Sequence, residues 1–197
     1  NAGADAYNTA VGHKAGNLLS TGTHNNLIGG FAGDALTTGA SNVAIGYNAL
    51  GAEDTGNRSI AIGEGALQVQ NNDDNNYNIA IGHHAGHLIS TGIQNTLIGG
   101  LAGDALTTGS YNVAVGIEAL SGEDTNGRNI AIGYRALNAL NAGIDAYNVA
   151  IGHSAGTSVT SGIVNTIVGG LAGDALTAGG HNVAIGYLAL SAEDTGS

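Results

Sequence analysis

Asn42-Val43-Ala44-Ile45-Gly46-Tyr47-Asn48-Ala49-Leu50 returns as Asn112-Val113-Ala114-Val115-Gly116-Ile117-Glu118-Ala119-Leu120. It returns again as Asn182-Val183-Ala184-Ile185-Gly186-Tyr187-Leu188-Ala189-Leu190. Shorter echoes fill the intervals, so the chain is a tandem array and its period decides the fold. With the glycine of each echo as position 0, the series is Gly12, Gly29, Gly46, Gly63, Gly82, Gly99, Gly116, Gly133, Gly152, Gly169 and Gly186. Spacings of 17, 17, 17 and 19 repeat, so four units make a superunit of 70 residues. The chain reads as one repeat domain, 1–197, with superunits 1–70, 71–140 and the partial 141–197. Because it starts and stops inside its repeat, it is expected to be an excerpt of a longer fibre.

Within a unit the positions are strict. Asn stands at −4, replaced once by Ser59; Ile or Val stands at −1; Ala stands at +3 in every unit; Thr is usual at +9, as in Thr38 and Thr55. Large and small residues alternate with period two in Val43-Ala44-Ile45-Gly46, and β-branched residues favour a pleated strand. Glycine at this density penalises a helix by about 1 kcal/mol per site relative to Ala. Asn and Gly supply left-handed turn positions. The expectation is all-β: a parallel β-solenoid or β-roll of about eleven coils, with one short strand or two per coil. At ~4.8 Å per coil the rod is roughly 50 Å long. The extra residues of the long coils fall in Asn1–Tyr7, Asn71–Tyr77 and Asn141–Tyr147 and should form a loop on one edge.

Composition agrees. There are 35 Gly, seven Tyr, one Phe and no Trp, Met, Pro or Cys, so any core must be thin and repeated. The formal charge of −11 makes nucleic acid and anionic membranes poor partners. Gly, Asn or Asp interrupts every apolar segment, which excludes membrane insertion as a helix.

Val43 and Ile45 occupy one face of the strand, Ala44 and Gly46 the other. The natural assignment puts the large residues inside and offers the small face, with Ala49, to neighbouring chains around a threefold axis. The alternative is a thin monomeric solenoid in which those alanines fill a narrow interior.

The unit, followed by the Thr55-Gly56 turn, resembles the N-T-A-I-G-Y-x-A-L … T-G repeats of phage tail-fibre and related adhesin proteins. It is also similar to the Ala-Ile-Gly repeats of trimeric autotransporter adhesin heads. The resemblance covers essentially the whole chain, and the 17-residue period sits nearer the tail-fibre repeats. It implies a trimeric, left-handed β-roll serving as a rigid extracellular shaft or host-attachment surface, on a virion tail or a bacterial cell. No membrane-anchor barrel, coiled-coil stalk or C-terminal chaperone domain accompanies it here, so neither family is singled out.

Candidate chemistry is sparse. His13, His83 and His153 share position +1, and in a trimer each would give a ring of three imidazoles, a plausible metal geometry. His84 and His87 have no counterparts in the sister units, which carry Lys14 and Asn17 or Ser154 and Thr157. Asp34, Asp104 and Asp174 form one acidic series; Glu53-Asp54, Glu123-Asp124 and Glu193-Asp194 form another, read as solvated turns. Asp73 and Asp74 are the residual calcium candidate. An EF-hand loop counted from Asp73 needs Gly and Glu where Asn78 and His84 stand, so no cofactor is expected. The Gly29-Gly30-Phe31-Ala32-Gly33 run lacks the Lys-Ser/Thr of a phosphate loop. Tyr7, Tyr77 and Tyr147, with Tyr47, Tyr134 and Tyr187, are candidate glycan contacts. No catalytic set stands out. The expected function is a structural, non-enzymatic attachment fibre that self-associates and touches host glycans. An ice-binding solenoid built on Thr ladders is the alternative, followed by a glycan-degrading tail spike.

Overall fold

The computed structural model describes residues 6–122 and 125–192. Eleven three-residue strands follow one another: β1 Thr9–Val11, β2 Asn26–Ile28, β3 Val43–Ile45, β4 Ile60–Ile62, β5 Ile79–Ile81, β6 Thr96–Ile98, β7 Val113–Val115, β8 Ile130–Ile132, β9 Val149–Ile151, β10 Thr166–Val168 and β11 Val183–Ile185. They form a single parallel sheet in sequence order, one strand per coil. The fold is therefore an all-β parallel solenoid. Among the described residues no helix is long and apolar enough to cross a membrane.

Register is set by the repeat. Val43 faces Ile60 and Ile45 faces Ile62 across 17 residues, and Ile60 faces Ile79 across 19. The two extra residues of the long coils are absorbed in the edge loop, where Asn71, Asp73, Asp74 and Tyr77 are exposed. Asn1–Asp5 of the first such loop lie outside the described residues.

Asn at −4 joins the coils. The buried Asn42 accepts a hydrogen bond from the Ser59 amide at 2.9 Å through Oδ1, and its Nδ2 donates to the Gly56 carbonyl at 2.9 Å. The same amide-to-Oδ1 bond links Asn8 to Asn25, Asn95 to Asn112 and Asn148 to Asn165, at 2.8–2.9 Å. Such a ladder satisfies corner amides that burial would otherwise leave unpaired.

The strand faces are inverted relative to the first sequence expectation and follow the sidedness of its alternative, with the alanines filling a narrow interior. Ala44, Ala61, Ala80, Ala114, Ala131 and Ala150 are fully buried, as are Leu27, Leu97 and Ile167 in the same column. Val43 and Ile45 point outward and are only partly covered. The interior is narrow, and the opposite wall already fills it with Ala at +3 and large residues at +4 or +7, such as Leu50, Leu67, Leu36 and Ile89. Volumes compensate between −2 and +4 in most coils, although Ala80 and Ala150 share their coils with Gly86 and Gly156. Where −2 is Leu27 or Leu97, +4 is Gly33 or Gly103; a Cβ on Gly33 would stand 2.8 Å from both Leu27 and Leu36. Where −2 is Ala44 or Ala114, +4 is Leu50 or Leu120.

The position-0 glycines are required by the stacking itself. Gly46 has φ +136°, and a Cβ there would run into the carbonyl of Gly63 in the next coil. Corners at −5, +2 and +4 are left-handed as well, even for non-glycine residues such as Ser41 (φ 61°), Asn48 (57°) and Leu50 (54°). An isolated chain disfavours these conformations by about 1 kcal/mol or more each, so the stacked neighbours hold them.

Candidate functional surface

The outer face of the sheet is the most extensive chemical feature of the rod. Positions −3 and −1 along β1–β11 hold Val, Ile, Thr and one Asn, with no charged residue. Even in interior coils the −1 side chains stay open to solvent: Ile28 is 40 % exposed, Ile98 38 % and Ile151 38 %. An uncharged, β-branched strip running the length of a chain of charge −11 differs sharply from its turn surfaces. Contiguous apolar patches of this kind mark interaction surfaces.

Two ridges flank the strip in the chain, at −5 and +1. Four tyrosines stand at −5. Tyr7 stacks on His24, with ring centroids 5.3 Å apart. Arg58 lies over Tyr77 at 5.5 Å. Arg128 lies between Tyr111, at 5.0 Å, and Tyr147, at 5.7 Å, and its guanidinium pairs with Asp145. The tyrosines expected to meet glycans therefore split into two sets, Tyr7, Tyr77 and Tyr147 at −5 and Tyr47, Tyr134 and Tyr187 at +1, all exposed. Tyr111 and Arg128 belong to the first set and were missed; their column position was the signal that would have found them.

The three +1 histidines have different neighbours. His13 meets Phe31 edge-on at 5.3 Å, and His153 stacks on Tyr134 at 5.1 Å. His83 stacks on His84 at 4.2 Å, and His84 on His87 at 4.3 Å. The two histidines that the sister-unit comparison set aside thus stand beside His83. Burial and the neighbouring His87 and His83 hold the His84 imidazole below its ordinary pKa. Among the described residues, Glu64, His83 and His84 form the one gathering of three or more His, Asp or Glu donors, with ligand atoms within 4.8 Å of one another.

Asp73 and Asp74 are used as turn acceptors. Asp73 Oδ1 accepts the Thr55 hydroxyl at 2.7 Å, and Asp74 Oδ1 accepts the Asn75 amide at 2.7 Å. Hydroxyls at +8 are also engaged: Ser20, Thr37 and Ser90 donate to carbonyls of the next coil at 2.9–3.1 Å.

The second acidic series departs from the expectation of solvated turns. Glu53 is not a solvated turn residue; it lies fully buried at +7, in the column that holds Leu36 and Leu106 elsewhere. Its carboxylate accepts from the Gly56 amide (2.8 Å), Gln70 Nε2 (2.9 Å) and Asn76 Nδ2 (3.0 Å). Burial pushes its pKa up, against the lowering effect of the Gln70 and Gly56 hydrogen bonds. Glu123-Asp124 and Glu193-Asp194 lie outside the described residues. Burial also raises the Asp104 carboxyl, whose Oδ1 is buried without a hydrogen-bond partner. No pocket opens among the described residues.

No family model, curated protein or solved structure matches this chain.

Proposed function

We propose that this chain is a structural, non-enzymatic segment of an extracellular fibre, of the phage tail-fibre or bacterial adhesin kind, that assembles as a homotrimer and supports attachment to a host or surface. The carrying observation is the uncharged Val/Ile strip along the outer sheet face. The strip runs the length of the eleven-stranded sheet, roughly 50 Å. The occupant that fits an in-register strip of this length is another copy of the same strip. Pairing copies there buries neutral surface and leaves the acidic turns apart. The threefold arrangement follows the sequence resemblance. The Ala/Gly face does not meet neighbouring chains, because it lines the interior. The −5 tyrosines with Arg58 and Arg128 offer stacking faces and donors suited to sugars.

Sedimentation velocity at micromolar concentration tests the assembly. A trimer is expected for the native chain, and a smaller species for Ile45→Asp/Ile62→Asp/Ile81→Asp. A native chain that sediments as a monomer contradicts the reading.

A further inference from the structure

We propose that Glu64, His83 and His84 form a binding site for a divalent transition-metal ion of the zinc or nickel class, on the outer edge between the fourth and fifth coils, with His87 as a positioning residue. The donor set is two imidazoles and one carboxylate, the ligand chemistry of zinc and nickel rather than of calcium or magnesium. The donor atoms already lie within 4.8 Å of one another. Ligands about 2.0–2.2 Å from a tetrahedral ion stand roughly 3.4 Å apart and hold it in the plane of each imidazole, so the site closes when His83 swings out of its stack on His84 and Glu64 moves in, which leaves a fourth position for water. Glu64 and His83 are exposed and free to make that adjustment.

The scaffold fixes the rest. Glu64 and His83 occupy +1 in successive coils, and the His84 amide donates to the Glu64 carbonyl at 2.8 Å, which locks the two turns together. His87 lies parallel to His84, 12° between ring planes, with its Nδ1 3.3 Å from the Gly65 carbonyl. That contact orients His87, and its ring in turn restrains His84, the role outer-shell groups play around metal ligands.

Packing does not require these residues. The sister coils build the same corners with Tyr134, His153, Ser154 and Thr157. Three histidines within five positions beside a carboxylate therefore stand out as a departure from a repeat that is otherwise closely copied. All donors come from one chain, so the site does not depend on the assembly state.

The test is calorimetric titration of the whole chain with Zn²⁺, and separately Ni²⁺, near neutral pH. The variant Glu64→Tyr/His84→Ser/His87→Thr carries the sister coil's residues, so it keeps the fold; circular dichroism and Tm without metal check this. One ion per chain is expected, with affinity at least about tenfold weaker in the variant and a Tm rise on metal addition confined to the native sequence. Absence of saturable binding up to about 1 mM overturns the proposal. So does native affinity in the variant. One ion per three chains also overturns it, because that stoichiometry assigns the metal to a ring of His83 side chains.

Discussion

The junction between coils 4 and 5 and the junction between coils 8 and 9 are the same structure built twice. Both follow a 19-residue unit, both pair in register (Ile60 with Ile79, Ile130 with Val149), and both carry an edge loop. Their internal chemistry differs. At the later junction the Asn ladder is intact: the Asn148 amide donates to Asn129 Oδ1 at 3.1 Å, and Leu140 fills +7. At the earlier one Ser59 replaces the asparagine and Gln70 replaces the leucine. Gln70 then donates to Ser59 Oγ (2.8 Å) and to Glu53, while its Oε1 accepts from Asn78 Nδ2 at 2.7 Å. A buried polar network substitutes for a ladder rung and an apolar contact together. Backbone geometry is thus set by the glycine and Ala columns, and the remaining positions are open to local chemistry.

The largest expected effect is one both junctions share. Gly63→Ala and Gly133→Ala each place a Cβ against the carbonyl of the next position-0 glycine, at φ +129° and +134°. Each should destabilise the chain by about 3 kcal/mol or more in urea denaturation. Near-neutral values at either site would break the equivalence of the two junctions.

Next is the network that separates them. Gln70→Leu alone strips partners from Ser59, Asn78 and the buried Glu53, and should cost about 2 kcal/mol. Ser59→Asn/Gln70→Leu restores the later junction's pattern and should recover about 1 kcal/mol of that loss. Strict additivity in the double-mutant cycle would mean that the two replacements are unrelated.

Glu53 gives the earlier junction a pH dependence. Its folded pKa is raised above the ordinary 4.5, so the folded state binds the extra proton. Its contribution is fully present below that value and is lost as pH rises through the folded pKa. The urea midpoint of the native chain should therefore fall relative to Glu53→Gln on going from acid to neutral pH. An opposite slope would place the carboxylate in a charge-favouring site.

The smallest effect belongs to the −5 ridge. Arg128 has two tyrosines and Asp145, whereas Arg58 has Tyr77 and Asn75. Arg128→Gln should cost more than Arg58→Gln in thermal melts, with both below about 1 kcal/mol at these exposed positions.

The period, the strand positions, the parallel register and the edge loop were legible in the spacing of eleven glycines and the Asn column. The sidedness was not. Period-two alternation separates Val43 and Ile45 from Ala44, but it carries no information about how much space the opposite wall leaves. Leu at +4 and +7 had to be counted first, and those residues follow no period of two with the strand. The alternation of Leu50 and Leu67 with Gly33 and Gly86 at +4 did hint at a left-handed corner. Glu53 was misread because charge in a turn usually means solvent, and its partners Gln70 and Asn76 lie 17 and 23 residues away. His84 and His87 were set aside because the sister coils lack them, yet that departure from the repeat is what makes the corner between coils 4 and 5 chemically distinct.

Because the chain has no cysteine, single thiols report its sidedness directly. The decisive measurement is thiol labelling of Ala114→Cys and Val115→Cys across a dilution series. Ala114→Cys should stay protected at every concentration; Val115→Cys should react in dilute solution and become protected as the chains associate. A reactive Ala114→Cys beside a Val115→Cys that is protected even when dilute would put the Val/Ile face inside and contradict the account.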